Sequence, residues 1–318
     1  MFSNSLYYRL KPLFPRALQI AISRQIIRRK REKYAHIWPI DESAAKPPEG
    51  WKGWPEWKKF AFVLTHDVET EKGVKNVMPL AELEKKLGFR SCFSFVAEDY
   101  RVPPELLQYL RCEGFEVSLH GLSHQGNLFR SRKAFQKNAV RINHFLKEWG
   151  SEGFRTPSMY HNLNWMGDLE IGYDSSTFDT DPFEPQPDGL GTIFPLWVPG
   201  NNGQKGFVEL PYTLPQDHTL FILMREKNID IWKRKLNWIA EKGGMALLIT
   251  HPDYMSFNAT SRKIDEYPAE YYEEFLKYVK SEYGESYWLV RPQEVAEFTS
   301  CQAPYPPNKR QFRTRRMM

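Results

Sequence analysis

Three cysteines in 318 residues, Cys92, Cys112 and Cys301, are too few for a disulfide framework, show no metal-ligand spacing, and cannot all pair within one chain. Reduced thiols in a cytoplasmic protein are the expectation. Long apolar runs are missing as well. The N-terminus is basic, but Arg16 and Arg24 interrupt its apolar residues and no small-residue cleavage site follows, which argues against a signal peptide and a membrane span. No self-similarity of fixed period points to a repeat protein. Basic charge is scarce in the body of the chain, despite a formal net charge of +5 from 44 Lys/Arg and 39 Asp/Glu. Residues 1–33 hold nine bases against Glu32, and residues 309–318 hold five against none. With these set aside, 30 bases face 38 acids, a net of −8, so a nucleic-acid-binding face on the main body is excluded.

What is present supports one large core with an appendage, since 41% of residues are hydrophobic and 15% aromatic. Residues 13–33 predict a basic amphipathic helix, with Pro15 in its first turn and Leu18, Ala21, Ile22, Gln25 and Ile26 along one stripe. Such a helix suits peripheral contact with an anionic membrane surface or packing on the chain's own acidic body, and both stay open at this point. Residues 39–59, rich in Trp and Pro (Trp51, Trp54, Trp57, Pro47, Pro48), predict an extended wrapper pinned by aromatics. The expected division is 1–59 for this extension, 60–298 for a main domain and 299–318 for a basic tail.

Across 60–298, strands of four to six residues alternate with longer helices, the pattern of an α/β fold. Helices are expected over Met78–Leu87, Pro103–Leu110, Ser131–Trp149, Asn164–Leu169, Ile229–Glu241 and Pro268–Tyr283. Polar residues repeatedly follow the strands directly. That is the placement a barrel active site needs, whereas a doubly wound sheet would also require a phosphate-loop glycine pattern that is absent.

The chemistry concentrates in a few places. Phe60–Thr70 is an apolar run that ends in Asp67 and Glu69, two carboxylates facing the same way in an extended chain. Two like charges on one face cost energy unless a cation or donors compensate them. His120 and His124, four apart, share a face if their segment makes a helical turn. With a carboxylate they form a two-histidine, one-carboxylate set that leaves room for water in a tetrahedral zinc sphere. Arg155, beside Pro157, can hold a carboxylate in fixed geometry. His251 projects from the end of an apolar strand, a good post for a proton carrier. Surface or capping histidines and a domain-edge ion pair are the plain alternatives. Glu209, Asp217 and His218 are within reach of the same rim, and Trp197, Tyr212 and Tyr254 are candidates for stacking on a sugar ring.

In order and spacing, Thr65-His-Asp-Val-Glu69, His120-x-x-Ser-His124, Arg155-Thr-Pro157, Tyr173-Asp-Ser-Ser176 and Ile249-Thr-His251 resemble the motifs of the polysaccharide deacetylase superfamily. That group comprises the family 4 carbohydrate esterases and their allantoinase-like relatives, and the resemblance covers roughly residues 60–295. It implies a distorted (β/α)7 barrel. By that resemblance Asp67 is the general base, positioned by Arg155. A carboxylate with His120 and His124 holds a divalent metal, with Zn2+ expected. A backbone N–H near Ser158 steadies the oxyanion, His251 is the general acid, and Asp174 orients the catalytic histidine. The chain departs from the pattern at Val68, where the metal aspartate commonly stands. Glu69 then takes the ligand role, His66 becomes a further ligand or a supporting donor, and the usual fourth-motif tryptophan is missing after Asp174. The implied function is metal-dependent removal of an N-acyl group from a sugar or glycan precursor. An allantoinase-like amidase acting on a small nitrogen compound, and a non-catalytic glycan-binding or assembly protein, are the alternatives.

Overall fold

The apolar run that opens the main domain forms β1 (Phe60–Val68), every residue of it buried. Its side chains alternate between two compartments. Ala61 and Val63 face a cluster inside the barrel with Met245, Leu247 and Ile249, while Phe60, Phe62, Leu64 and Val68 face the layer between the sheet and its helices. A strand buried on both faces reads as a continuous apolar run, and period 2 decides which residue enters which compartment.

In the computed structural model, residues 16–200, 205–258 and 262–302 are described. The expected start of the first helix at residues 13–15 and the basic tail from 303 onward lie outside them. The chain begins with α1 (Arg16–Tyr34), and β1 is followed by α2 (Glu71–Leu87), β2 (Cys92–Phe95), α3 (Pro104–Cys112), β3 (Glu116–Leu119), α4 (Arg132–Glu148), β4 (Gly153–Phe154), α5 (Leu163–Met166) and β5 (Tyr173–Asp174). Then come β6 (Leu196–Val198), β7 (Phe207–Glu209), a π-helical segment at His218–Leu223, α6 (Asp230–Lys242), β8 (Met245–Thr250), β9 (Met255–Ser256), β10 (Tyr267–Pro268), α7 (Ala269–Tyr283), β11 (Tyr287–Leu289) and α8 (Pro292–Gln302).

The sheet curls through β1, β2, β3, β4, β5 and β7 in parallel, and β8 pairs with the other side of β1. A bridge between Leu214 and Leu248 connects the segment after β7 to β8. The result is an α/β fold, a distorted barrel of the deacetylase type with helices outside. β11 extends the sheet beside the start of β1, and β6 pairs with β7 antiparallel.

Several elements differ from expectation. α2 starts at Glu71 rather than Met78, because Thr70 caps it by accepting from Lys72 N, and Pro79 then sits inside the helix. α8 runs from Pro292 to Gln302, where no helix was expected, with Glu294 accepting from Arg291 N at its start. In α1 the buried residues are Ile20 and Ile27, not the expected stripe through Leu18 and Ala21. The polar residues of its inward face find partners on the barrel, with Arg24 Nε donating to Ile222 O at 2.9 Å and Arg31 pairing with Glu226. In the Trp/Pro segment Trp51 and Trp54 do anchor, packing with Phe298 of α8, and Trp54 Nε1 donates to Gly243 O at 2.8 Å. Trp57 does not, and is 97% exposed. The aromatics thus close the barrel at the end where β1 and β8 begin. The other end stays open.

Candidate metal centre and catalytic groove

Register places the chemistry at that open end. Leu119, Phe154, Asp174 and Glu209 stand side by side across β3, β4, β5 and β7. Leu119 and Phe154 pack toward the helix layer, so the residues one step later, His120 and Arg155, turn inward. Asp67 and His251 continue the inward rows of β1 and β8. Four motif residues distant in sequence therefore converge over the core. They do so at strand C-terminal ends, where barrel active sites are built.

Arg155, 2% exposed, donates from Nη1 to Asp67 Oδ1 at 2.7 Å and to Thr65 Oγ1 at 3.0 Å, and from Nε and Nη2 to Ser175. Burial alone would raise the Asp67 pKa, but the Arg155 guanidinium, with His120 and His251, more than offsets it and holds the carboxyl below its ordinary value. Burial likewise opposes ionisation of Glu69, and His124 leads the groups that hold it well below the usual carboxylate range. Glu69 Oε1 lies 2.9 Å from His124 Nε2 and 3.7 Å from His251 Nε2, and Oε2 accepts from Tyr254 Oη at 2.7 Å. Its backbone N–H donates to Asp253 Oδ2 at 2.9 Å. The two compensated carboxylates expected at the end of β1 are both present.

His120 and His124 lie in an irregular loop, not on a helical turn, and still bring their ring centroids to 5.5 Å. Gly121, at φ 72°, makes the loop's turn, and a side chain there would collide with Pro157. One ligand atom from each of Glu69, His120 and His124 can be chosen so that all three lie within 4.8 Å of one another. His120 Nδ1 and His124 Nε2 are buried with no hydrogen-bond partner among the described residues, so the 2.9 Å approach of His124 to Glu69 is an ion-pair contact rather than an aligned hydrogen bond. Burial lowers the His120 pKa to about 4, which keeps the ring neutral as a ligand must be. Two imidazoles and one carboxylate with orphaned donor atoms fit a divalent metal and leave a position open. The cluster is compatible with metal-dependent hydrolysis.

His251 is held from behind. Its Nδ1 meets Asp217 Oδ1 at 2.6 Å, its backbone N–H donates to Asp217 Oδ2 at 2.8 Å, and Tyr267 Oη donates to the same oxygen at 2.9 Å. Burial works against the charged imidazole, but Asp217 outweighs it and brings the pKa up to about 10. The residue that orients His251 is therefore Asp217, not Asp174. Asp174 accepts from Ser176, is hydrogen-bonded to Glu209, and sits one register step off the inward row, so it cannot reach His251. His66 is no metal ligand either. As an even-numbered residue of β1 it points into the helix layer, where its ring nitrogens meet Thr250 Oγ1 at 2.7 Å and Glu84 Oε1 at 2.8 Å.

A groove of about 960 Å³ covers this centre. Ser158, His218 and Tyr254, three of the residues expected at the substrate, line it. Ser158 and the adjoining Met159 hold left-handed backbone, with φ of 57° and 55°, a strained turn of the kind found where a site over-determines its backbone. Glu209 and Tyr212 do not line the groove. Glu209 is buried on Thr177, and Tyr212 donates to Glu184 from behind the wall. Trp197 also lies off it, packed against the inner core through β6. Further acids line the groove, among them Asp253 and Glu184. Asp253 follows His251 by two residues and fixes Glu69 and Thr70, and Glu184 lies in the acidic loop after β5. Gly73 marks Asp253 in retrospect, because a Cβ there would meet its carboxylate at 2.2 Å.

No family model matches this chain, and no curated protein matches it by sequence. Solved structures do match in fold. A putative polysaccharide deacetylase from Mycobacterium smegmatis is similar over 80% of this chain and 95% of its own, with 20% identity and a TM-score of 0.60. A probable polysaccharide deacetylase from Pseudomonas aeruginosa PAO1 matches at 18% identity over 79% and 94%, with a TM-score of 0.60. The PuuE allantoinase matches at 17% identity over 84% and 99%, with a TM-score of 0.63. The chain has the fold of polysaccharide deacetylases, shared with an allantoinase. Among its described residues no helix is long and apolar enough to cross a membrane.

Proposed function

We propose that this chain is a metal-dependent hydrolase that removes an N-acyl group, the N-acetyl group in the simplest case, from a sugar or glycan precursor. The observation that carries the reading is the convergence of three units in one groove: Asp67 on Arg155, His251 on Asp217, and the cluster of Glu69 with the orphaned ring nitrogens of His120 and His124. A divalent ion held by those three residues, Zn2+ by the chemistry of the donors, would polarise the acyl carbonyl and acidify a water molecule. Asp67, ionised and fixed by Arg155, takes the proton of the attacking water. His251, charged at neutral pH, gives its Nε2 proton to the departing amine while Asp217 holds Nδ1. The strained turn at Ser158 offers backbone N–H to the developing oxyanion. Glu69 replaces the aspartate expected at position 68, because Val68 points into the helix layer and is fully buried.

The groove has room for a glycan, which supports this reading beside the allantoinase-like one. Exposed free Cys112 and Cys301 support a reducing, cytoplasmic setting. The test is amine release from N-acetylated sugars, and ring opening of allantoin to its carboxylate, by zinc-loaded protein, together with metal content. Hydrolysis of the sugars that is lost in Asp67→Asn supports the reading. Substoichiometric metal after zinc is supplied, with no hydrolysis of any substrate, makes the chain a binding protein instead.

A further inference from the structure

The basic helix α1 is a wall of the groove, which neither its composition nor the catalytic constellation requires. Arg16, Ile26, Ile27 and Lys30 all line the cavity. The helix lies along the groove, not across one corner. At its start Arg16 faces Asp265 at 3.7 Å and is within electrostatic reach of Glu69, so this end adjoins the proposed metal centre. Lys30 comes fourteen residues later, about 21 Å along the helix axis. Between them Ile26 and Ile27, with Leu223 and Phe183 also lining the groove, add apolar surface to its wall.

The two cations at the ends differ. Arg16 has a carboxylate partner, whereas Lys30 Nζ donates to the backbone oxygen of Pro182 at 3.0 Å and has no acidic partner among the described residues. A backbone carbonyl orients an ammonium but does not neutralise it. Lys30 is thus an oriented positive charge with no carboxylate bonded to it among the described residues, on the wall of a groove whose opposite end carries the hydrolytic groups.

We propose that α1 selects the substrate of the hydrolase read above: a molecule longer than a single sugar, whose acyl-bearing sugar lies at Glu69, His120 and His124 and whose anionic group, a phosphate or a carboxylate, lies at Lys30. The inference rests on the hydrolase reading for its reaction and on the α1 wall for its specificity. The neutral body of the substrate passes under Ile26 and Ile27, and the charged end is what α1 recognises.

The test uses full-length, zinc-loaded protein and three sets of short N-acetylglucosamine oligomers: neutral, phosphorylated at the end far from the scissile group, and ended there by a uronic acid. A preference in kcat/KM of roughly tenfold or more for an anionic set is expected, and the set preferred identifies the group. Lys30→Gln should lower kcat/KM for that set roughly tenfold more than for the neutral one, with unchanged thermal unfolding, and Lys30→Arg should restore the preference. Equal kcat/KM on neutral and anionic oligomers, or an equal loss on both in Lys30→Gln, overturns the proposal and leaves the hydrolase reading standing. If no oligomer is hydrolysed by the wild type, the hydrolase reading fails. Calorimetric binding of the phosphorylated and uronate-ended oligomers then decides on Lys30: weakening of roughly tenfold in Lys30→Gln sustains its role, and unaltered binding overturns it.

Discussion

Asp67 and Asp174 are both fully buried aspartates near the ends of barrel strands, yet they lie on opposite sides of the sheet. Asp67 points inward and meets a guanidinium and two imidazoles, and its carboxyl is held below the ordinary value. Asp174 points outward, meets Ser176 and a second acid, Glu209, and is pushed up by burial, as is Glu209 even more strongly. A carboxylic acid pair without a nearby cation keeps a proton, whereas a carboxylate clamped by Arg155 does not. One step of strand register separates a reactive acid from a structural one. Glu116 lies on the inward row of β3, two steps before Ser118, yet is structural as well, since burial raises it to about 7 while Tyr173 Oη donates to it at 2.6 Å.

The sharpest break of this contrast is on the inward side. Asp67→Asn should retain metal and lower turnover by roughly 10³-fold, and His120→Ala should lose both metal and turnover, read by metal analysis and an amine-release assay. Retained hydrolysis in Asp67→Asn would remove it as the base. Next in size is Asp217→Asn, with a loss of roughly 10²-fold in kcat. Because Asp217 is what raises His251, the alkaline limb of the rate–pH profile should also move down toward neutrality, and an unmoved limb would separate the two residues.

Effects on the acids that burial raises should appear in stability instead. Glu116 is raised in the folded chain, so its contribution is fully present below the unfolded carboxyl pKa and is lost as pH rises through about 7. Denaturant unfolding between pH 4.5 and 7 should show a fall on the order of 3 kcal/mol from this group, and Glu116→Gln should flatten it. Smallest of all, Glu209→Gln should leave turnover within about twofold and stability within roughly 1 kcal/mol, since a neutral amide replaces an acid that burial and Asp174 push toward its neutral form. A large loss of activity there would contradict the division between inward and outward acids.

Period-2 reasoning carried much of this in the sequence. It placed Asp67 and Glu69 together, and applied one residue earlier it also removes His66 from the metal, because an even position of β1 must face the helices. The same count separates Asp174 from Arg155, although it needs the register between strands, which no single strand records. Asp217 was visible only as a rim acid, since its bond to His251 joins a loop before a π-helical segment to a strand end 34 residues away. The buried stripe of α1 was misjudged for a related reason: hydrophobic spacing cannot show that Arg24 and Lys30 find carbonyl partners on the barrel. The pairing of His120 with His124 was legible from spacing, but a glycine turn produces it rather than a helix.

The aromatic packing of Trp51 and Trp54 against Phe298 also bears on traffic through the molecule. With that end stoppered, whatever the proposed hydrolase takes up and releases would share one mouth, and α1 forms part of its frame. Departure becomes a queue. For the proposed hydrolase both products would leave past α1, so residence on that helix would set the pace of repeated turnover.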